Sequence, residues 1–134
     1  MMSDTAQRNL VLILARDFAS RLATAVFLVD PDDNLIYFNE AAERMLGMPF
    51  VEGRVVTARQ WSEQLVAADD EDRPLSPDER PLRVALERGS PSHRSMKISA
   101  ADGTFRHIEV TAFPLFAHAD ECVGAMSIFW EPSE

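Results

Sequence analysis

The sequence predicts an α+β fold in which an antiparallel sheet carries helices on one face. Three observations predict it. β-prone runs lie toward both ends, at residues 25–38 and 92–131, with a mostly helical segment between them. Strong turn signals, Pro31-Asp32-Asp33-Asn34 and Asp102-Gly103, join neighbouring runs as hairpins. The chain of 134 residues, 46% of them apolar, is the size of one domain with one core.

The elements follow in order. Residues 5–22 read as a helix, because Leu10, Leu14, Phe18 and Leu22 recur every fourth position and Val11 and Ile13 widen the apolar stripe. Residues 1–24 are therefore set apart as an N-terminal amphipathic helix and 25–134 as the main domain. Residues 25–30 and 35–38 form the first hairpin. Asn39 caps a short helix that stops at Gly47. Residues 48–89 are mixed and mostly helical, with Trp61, Leu65 and Val66 on one helix face. Asp69-Asp70-Glu71-Asp72 is a solvated loop. Ser76 or Asp78 caps a helix that runs to about Arg88 and takes Pro81 in its first turn. Three strands close the chain: residues 92–100, 104–116 and 122–131.

Charge and cysteine content exclude several classes. Twenty-two acidic residues against thirteen basic give −9 at pH 7, the wrong sign for phosphate neutralisation, so neither nucleic acid nor an anionic membrane is expected as partner. A lone Cys122 makes no intramolecular disulfide and no cysteine zinc site. The longest apolar run, residues 10–15, is far short of the ~20 residues of a membrane span, and no signal peptide is evident. The chain reads as cytoplasmic.

Alternation sorts the strands into faces. Ile108, Val110 and Ala112 share one side of the long strand, opposite His107, Glu109 and Thr111. Met96 and Ile98 oppose Ser95, Lys97 and Ser99. The first and last strands are apolar on both faces and need cover on both. The middle helices supply one cover. The N-terminal helix, from this chain or a second copy, supplies the other.

Three stretches resemble a PAS domain. Residues 25–47 resemble its opening of strand, Asp, turn, strand, Asn, Ala-Ala-Glu and Leu-Gly, here through Asp30, Asn39, Ala41, Ala42, Glu43 and Gly47. Residues 70–89 resemble its Pro-Leu…Pro-Leu-x-x-Ala-Leu-x-x-Gly segment. Residues 102–131 resemble its closing hairpin, with Asp-Gly, a long strand carrying Pro-Leu and a last strand that opens on an apolar residue and Gly. The resemblance implies a PAS fold with a five-stranded antiparallel sheet in the order 2-1-5-4-3 and helices that cup it around a small-molecule cavity.

The row expected to face that cavity is Phe27, Val29, Ile36, Phe38, Met96, Ile98, Ile108, Val110, Ala112, Gly124, Met126 and Ile128, with Trp61, Leu65, Leu82 and Leu86 from the helices. It shows no placed polar group, so it suits either a lined cavity for a small apolar ligand or a filled core. Cofactors are disfavoured. Flavin-binding PAS domains carry Gly-x-Asn-Cys-Arg on a helix, and Gly53-Arg54-Val55-Val56-Thr57 puts Val56 at the cysteine's place. Haem-binding ones take a histidine from the helix before the third strand, and residues 77–88 have none. His93, His107 and His118 read as surface residues, and no metal site is expected.

No phosphate loop or nucleophile motif is present, and no carboxylate falls on the inward row, so the chain is not expected to be an enzyme. A small cupped-sheet enzyme would need a buried carboxylate of raised pKa there. The resemblance implies a sensory and dimerisation module. Leu10, Val11, Leu14 and Phe18, with the outer row Val26, Leu28, Ala125 and Phe129, are the expected homodimer surface. The alternative is an interaction module with a filled core. The ending Trp130-Glu131-Pro132-Ser133-Glu134 departs from the family's Asp-x-Thr-like close. It fits both a stand-alone domain acting on an effector protein in trans and a piece of a longer sensor with an output domain.

Overall fold

A computed structural model of the chain describes residues 4–99 and 103–132. Ala100 and Asp102 of the expected hairpin, residues 1–3 and residues 133–134 lie outside the described residues. The chain runs α1 (Asp4–Ser20), β1 (Ala25–Val29), β2 (Leu35–Phe38), α2 (Glu40–Leu46), α3 (Ala58–Gln64), β3 (Val66–Ala68), a 3₁₀ turn (Pro77–Glu79), α4 (Pro81–Arg88), β4 (Ser92–Ser99), β5 (Phe105–His118) and β6 (Glu121–Trp130). The strands form one antiparallel sheet in the order β2-β1-β6-β5-β4-β3. β1 and β6 therefore lie side by side inside the sheet, each flanked by a strand on both edges, as their two dry faces require.

Three elements depart from expectation. The sheet has six strands, not five: Val66–Ala68, read as the end of a helix, pairs with Lys97–Ser99 at the edge. A capping box between Thr57 and Gln60 starts α3, but Leu65 turns to extended backbone, and the β-branched Val66 begins a strand. The helix expected from Ser76 is split. Ser76 and Glu79 form their own capping box over the 3₁₀ turn, and α4 restarts after Arg80 with Pro81 in its first turn.

The third departure is in strand phase. In β2, Leu35 pairs with Val29 and Tyr37 with Leu28, so Ile36 is the extra residue of a bulge. The bulge turns Leu35 and Phe38 inward and sends Ile36 outward with Tyr37. In β6, Phe27 pairs with Ser127, Ala25 with Phe129 and Val29 with Ala125. Opposed residues share a face. Ala125, Ser127 and Phe129 thus point inward, and Met126 and Ile128 outward, the reverse of the expected phase.

Two layers result. Inside, β1, β4, β5 and β6 pack on α2, α3 and α4 around Phe27, Trp61, Leu82, Ile98 and Phe129. Outside, α1 of the same chain crosses the sheet and covers Val26, Leu28 and Met126 with Ala15 and Ala19. Small residues set this close crossing. A Cβ on Gly124 would stand 2.3 Å from the Val29 carbonyl oxygen and 3.3 Å from Leu12 Cδ2. Asn39 ties the layers together. Its Oδ1 accepts from the backbone N–H of Val26 (3.0 Å) and Ala42 (3.1 Å), and its Nδ2 donates to the carbonyls of Ala19 (3.0 Å) and Thr24 (2.9 Å). Arg16 adds a side-chain link, pairing with Glu52 and lying over the rings of Tyr37 and Phe50.

Candidate functional site

The inner face borders a small, partly open cavity of about 40 Å³. It is set by aromatic packing. Phe27 meets Phe38, Trp61 and Phe129 edge-on at 6.1, 6.0 and 4.9 Å between centroids, and the rings of Phe27, Trp61 and Phe129 form part of the wall. Of the residues expected to line a cavity, Phe27, Trp61, Leu65, Leu82, Met96, Ile98, Ile108 and Val110 do line it. Val29, Phe38 and Ala112 are buried on the same inner face away from the cavity, and Leu86 packs at the edge of that core. Ile36, Met126 and Ile128 are on the opposite face because of the bulge and the phase of β6.

Sequence reading missed four wall residues, Arg80, Pro81, Ser127 and Phe129. Two of them are polar. Ser127 is 2% exposed and was hidden by the wrong phase of its strand; a lone hydroxyl in an apolar run was the available signal. Arg80, 6% exposed, caps α4 by position. Its Nη2 donates to the carbonyls of Leu65 (2.7 Å) and Ser62 (3.3 Å), where α3 ends, and its guanidinium lies 5.2 Å from the Trp61 ring centroid. Nε and Nη1 have no hydrogen-bond partner. Burial lowers the guanidinium's pKa and nearby Asp33 opposes that shift.

Asp33 is the buried carboxylate of the region, in the left-handed turn conformation (φ 65°) with its carbonyl accepting from Trp61 Nε1 at 2.8 Å. Burial pushes its carboxyl up to about 6, against the pull of Arg83 and Arg80. Arg83 Nε donates to its Oδ2 at 3.3 Å, while Oδ1 is unpartnered. Asp33 does not line the cavity, so this raised carboxyl is not placed against a molecule there.

The expected dimer residues divide. Leu10, Leu14 and Phe18 stand exposed on α1 (41, 57 and 52%), joined by Ile13, and Val11 is half-buried. Val26 and Leu28 are covered by the chain's own α1, and Ala125 and Phe129 face the inner core; all four are buried and present no surface. His93 and His107 lie on the exposed outer side of β4 and β5, near Glu109 and Asp70. Residues 53–57 are not helical, and Val56 pairs with Leu35. No cluster of metal-ligating side chains occurs among the described residues. No helix among them is long and apolar enough to cross a membrane.

An antiparallel sheet with its first and last strands side by side in its interior, and short helices on one face around a small cavity, defines an α+β domain. The family model described as PAS domain matches residues 23–130, and the chain belongs to the PAS domain family. PAS domains are in general sensory and signal-transduction modules. The fold is similar to that of the PAS domain of nitrogen regulation protein NR(II) from Vibrio parahaemolyticus (20% identity, TM-score 0.60, covering 89% of this chain and 98% of that one). It is similar to a PAS domain from Colwellia psychrerythraea (15%, 0.61, 91% and 97%) and to the LOV protein of Rhodobacter sphaeroides (17%, 0.68, 96% and 69%). No curated protein matches the chain.

Proposed function

We propose that this PAS domain is a sensory and dimerisation module in which a small ligand on the inner face biases the packing of a second copy on the outer face. The supporting observation is the pair of central strands. Along β1 and β6, inward residues such as Phe27 and Phe129 wall the cavity, while the next residues outward, Val26, Leu28 and Met126, carry α1. A shift of these strands against the helical cap therefore moves the seat of α1. α1 in turn presents Leu10, Leu14 and Phe18 as an apolar surface for a second copy. The ligand acts only by binding the two packings with different affinity.

A second reading, an interaction module with a filled core, is favoured by the cavity's size. About 40 Å³ is far below the ~300 Å³ of ordinary ligand pockets. Native mass spectrometry of the purified chain, against its denatured mass and with an absorbance spectrum, separates the two. The sensor reading predicts dimer ions carrying a small extra mass without visible absorbance. Dimer ions of bare mass that take up no added small molecule would favour the filled core.

A further inference from the structure

The turn between β1 and β2 is tied to two helices of the cap. Asn34 Oδ1 accepts from the Ala58 N–H at the start of α3 (3.0 Å), and the Asp33 carbonyl accepts from Trp61 Nε1 of the same helix (2.8 Å). The Asp33 side chain reaches the other helix, its Oδ2 accepting from Arg83 Nε of α4 at 3.3 Å. These attachments differ in kind. The two to α3 join neutral groups. The one to α4 is an ion pair with a titratable carboxylate, and of the three it alone responds to a proton.

Arg83 has a second acid within reach. Its Nη1 stands 3.8 Å from Asp78 Oδ1 on the 3₁₀ turn, so its partly exposed guanidinium already spans two carboxylates. The Asp33 side chain is 4% exposed and that of Asp78 76%. Water solvates an exposed carboxylate, whereas a buried one must find its stabilisation in the protein. Asp33 finds little, because Oδ1 has no hydrogen-bond partner. Besides Arg83, the charges facing it are Arg80 at the start of α4, which favours the ionised form, and Asp30 of its own turn, which opposes it. Burial outweighs both arginines and pushes the carboxyl up to about 6.

We propose that Arg83 is a two-position latch set by a proton on Asp33: with Asp33 ionised it ties α4 to the β1–β2 turn, and with Asp33 neutral it turns to Asp78 and loosens α4 from the sheet. The proton comes from solvent and no covalent bond changes. α3 stays attached through Trp61 and Asn34 in both positions. Leu82 and Ala85 keep α4 seated by apolar burial, so the change is one of local opening and not of undocking. It reaches the cavity, because Arg80, Pro81 and Leu82 at the start of α4 belong to its wall. Arg80 feels the same event, since the charge on Asp33 favours its buried guanidinium. The latch needs no ligand in the cavity.

Amide hydrogen exchange of the chain tests this, read at about pH 5 and about pH 7.5, on either side of the Asp33 transition, with the intrinsic pH dependence of exchange removed. The NMR shift of the Asp33 carboxyl carbon reports the proton itself. On acidification the protection of α4 is expected to fall about threefold relative to α3, the factor of one weak ion pair, with the midpoint of the Asp33 carboxyl. Asp33→Asn holds the neutral state and should show the low protection at both pH values. Asp78→Asn removes the second seat and should shrink the fall; a fall as large as in the wild type would overturn that seat. Protection of α4 that does not follow the Asp33 midpoint, or the same fall in Asp33→Asn, would overturn the latch. Should a variant fail to fold, the wild-type match between α4 protection and the Asp33 carboxyl still decides.

Discussion

The two faces of one sheet end their burial differently. On the inner face, α2, α3 and α4 cover the apolar row so fully that about 40 Å³ is left. On the outer face, α1 covers the centre through Ala15 and Ala19 but turns a second apolar side to solvent, with Leu14 57% and Phe18 52% exposed. The same alternating strands feed both layers. The difference lies in the covers: the inner helices spend their apolar residues within the chain, whereas α1 is apolar on two sides and one sheet face satisfies only one of them. This is the stripe that the proposed pairing of two copies would use.

The comparison breaks most visibly by truncation of the inner face. Phe27→Ala removes a ring that touches three others and is expected to cost about 3–5 kcal/mol of stability, read by denaturant unfolding. The outer counterpart Phe18→Ala should stay within about 0.5 kcal/mol for the monomer, because its ring is half in solvent. Equal costs would mean that α1 packs in another orientation.

Next in size is a pH effect at the join between sheet and cap. The Asp33 carboxyl sits at about 6 in the fold, against an ordinary value of 3.8. Between those values the folded chain holds more protons than the unfolded one. Stability from this group is therefore present at low pH and is lost as pH rises from about 4 to about 6, flattening above. The shift corresponds to about 3 kcal/mol at most. Unfolding measured across that window should show the decline in the wild type and not in Asp33→Asn. Parallel curves would refute the assignment.

The smallest effect sharpens the outer layer. Arg16 holds α1 to the loop after α2 through Glu52, at a largely exposed site. Arg16→Ala should cost no more than about 1 kcal/mol, yet it should raise amide exchange along α1 while leaving β4 and β5 unchanged. A rise spread over the whole sheet would contradict the view of α1 as a separately held cover.

What the sequence made legible follows from contrast between faces. β4 and β5 carry polar residues on one side, so the inward positions of Met96, Ile98, Ile108 and Val110 could be read directly. β6 is apolar on both sides, and only its pairing with β1 decides that Ser127 points in and Met126 out. Ile36 was misplaced because a bulge breaks the two-residue period that the reading relies on. β3 is three residues long and borrows its stability from β4, which no local pattern announces. Arg80 was invisible for a different reason. An arginine beside a proline at the start of a helix looks solvated, and its burial comes from the end of α3 folding over it.

The account turns on the outer stripe being an interface between copies. Light scattering over a concentration series, on the wild type and on a Leu14→Glu, Phe18→Glu double variant, tests it most directly. The account predicts a dimer mass for the wild type and a folded monomer for the variant. A wild-type monomer at the highest concentration, or a variant that stays dimeric, would contradict it.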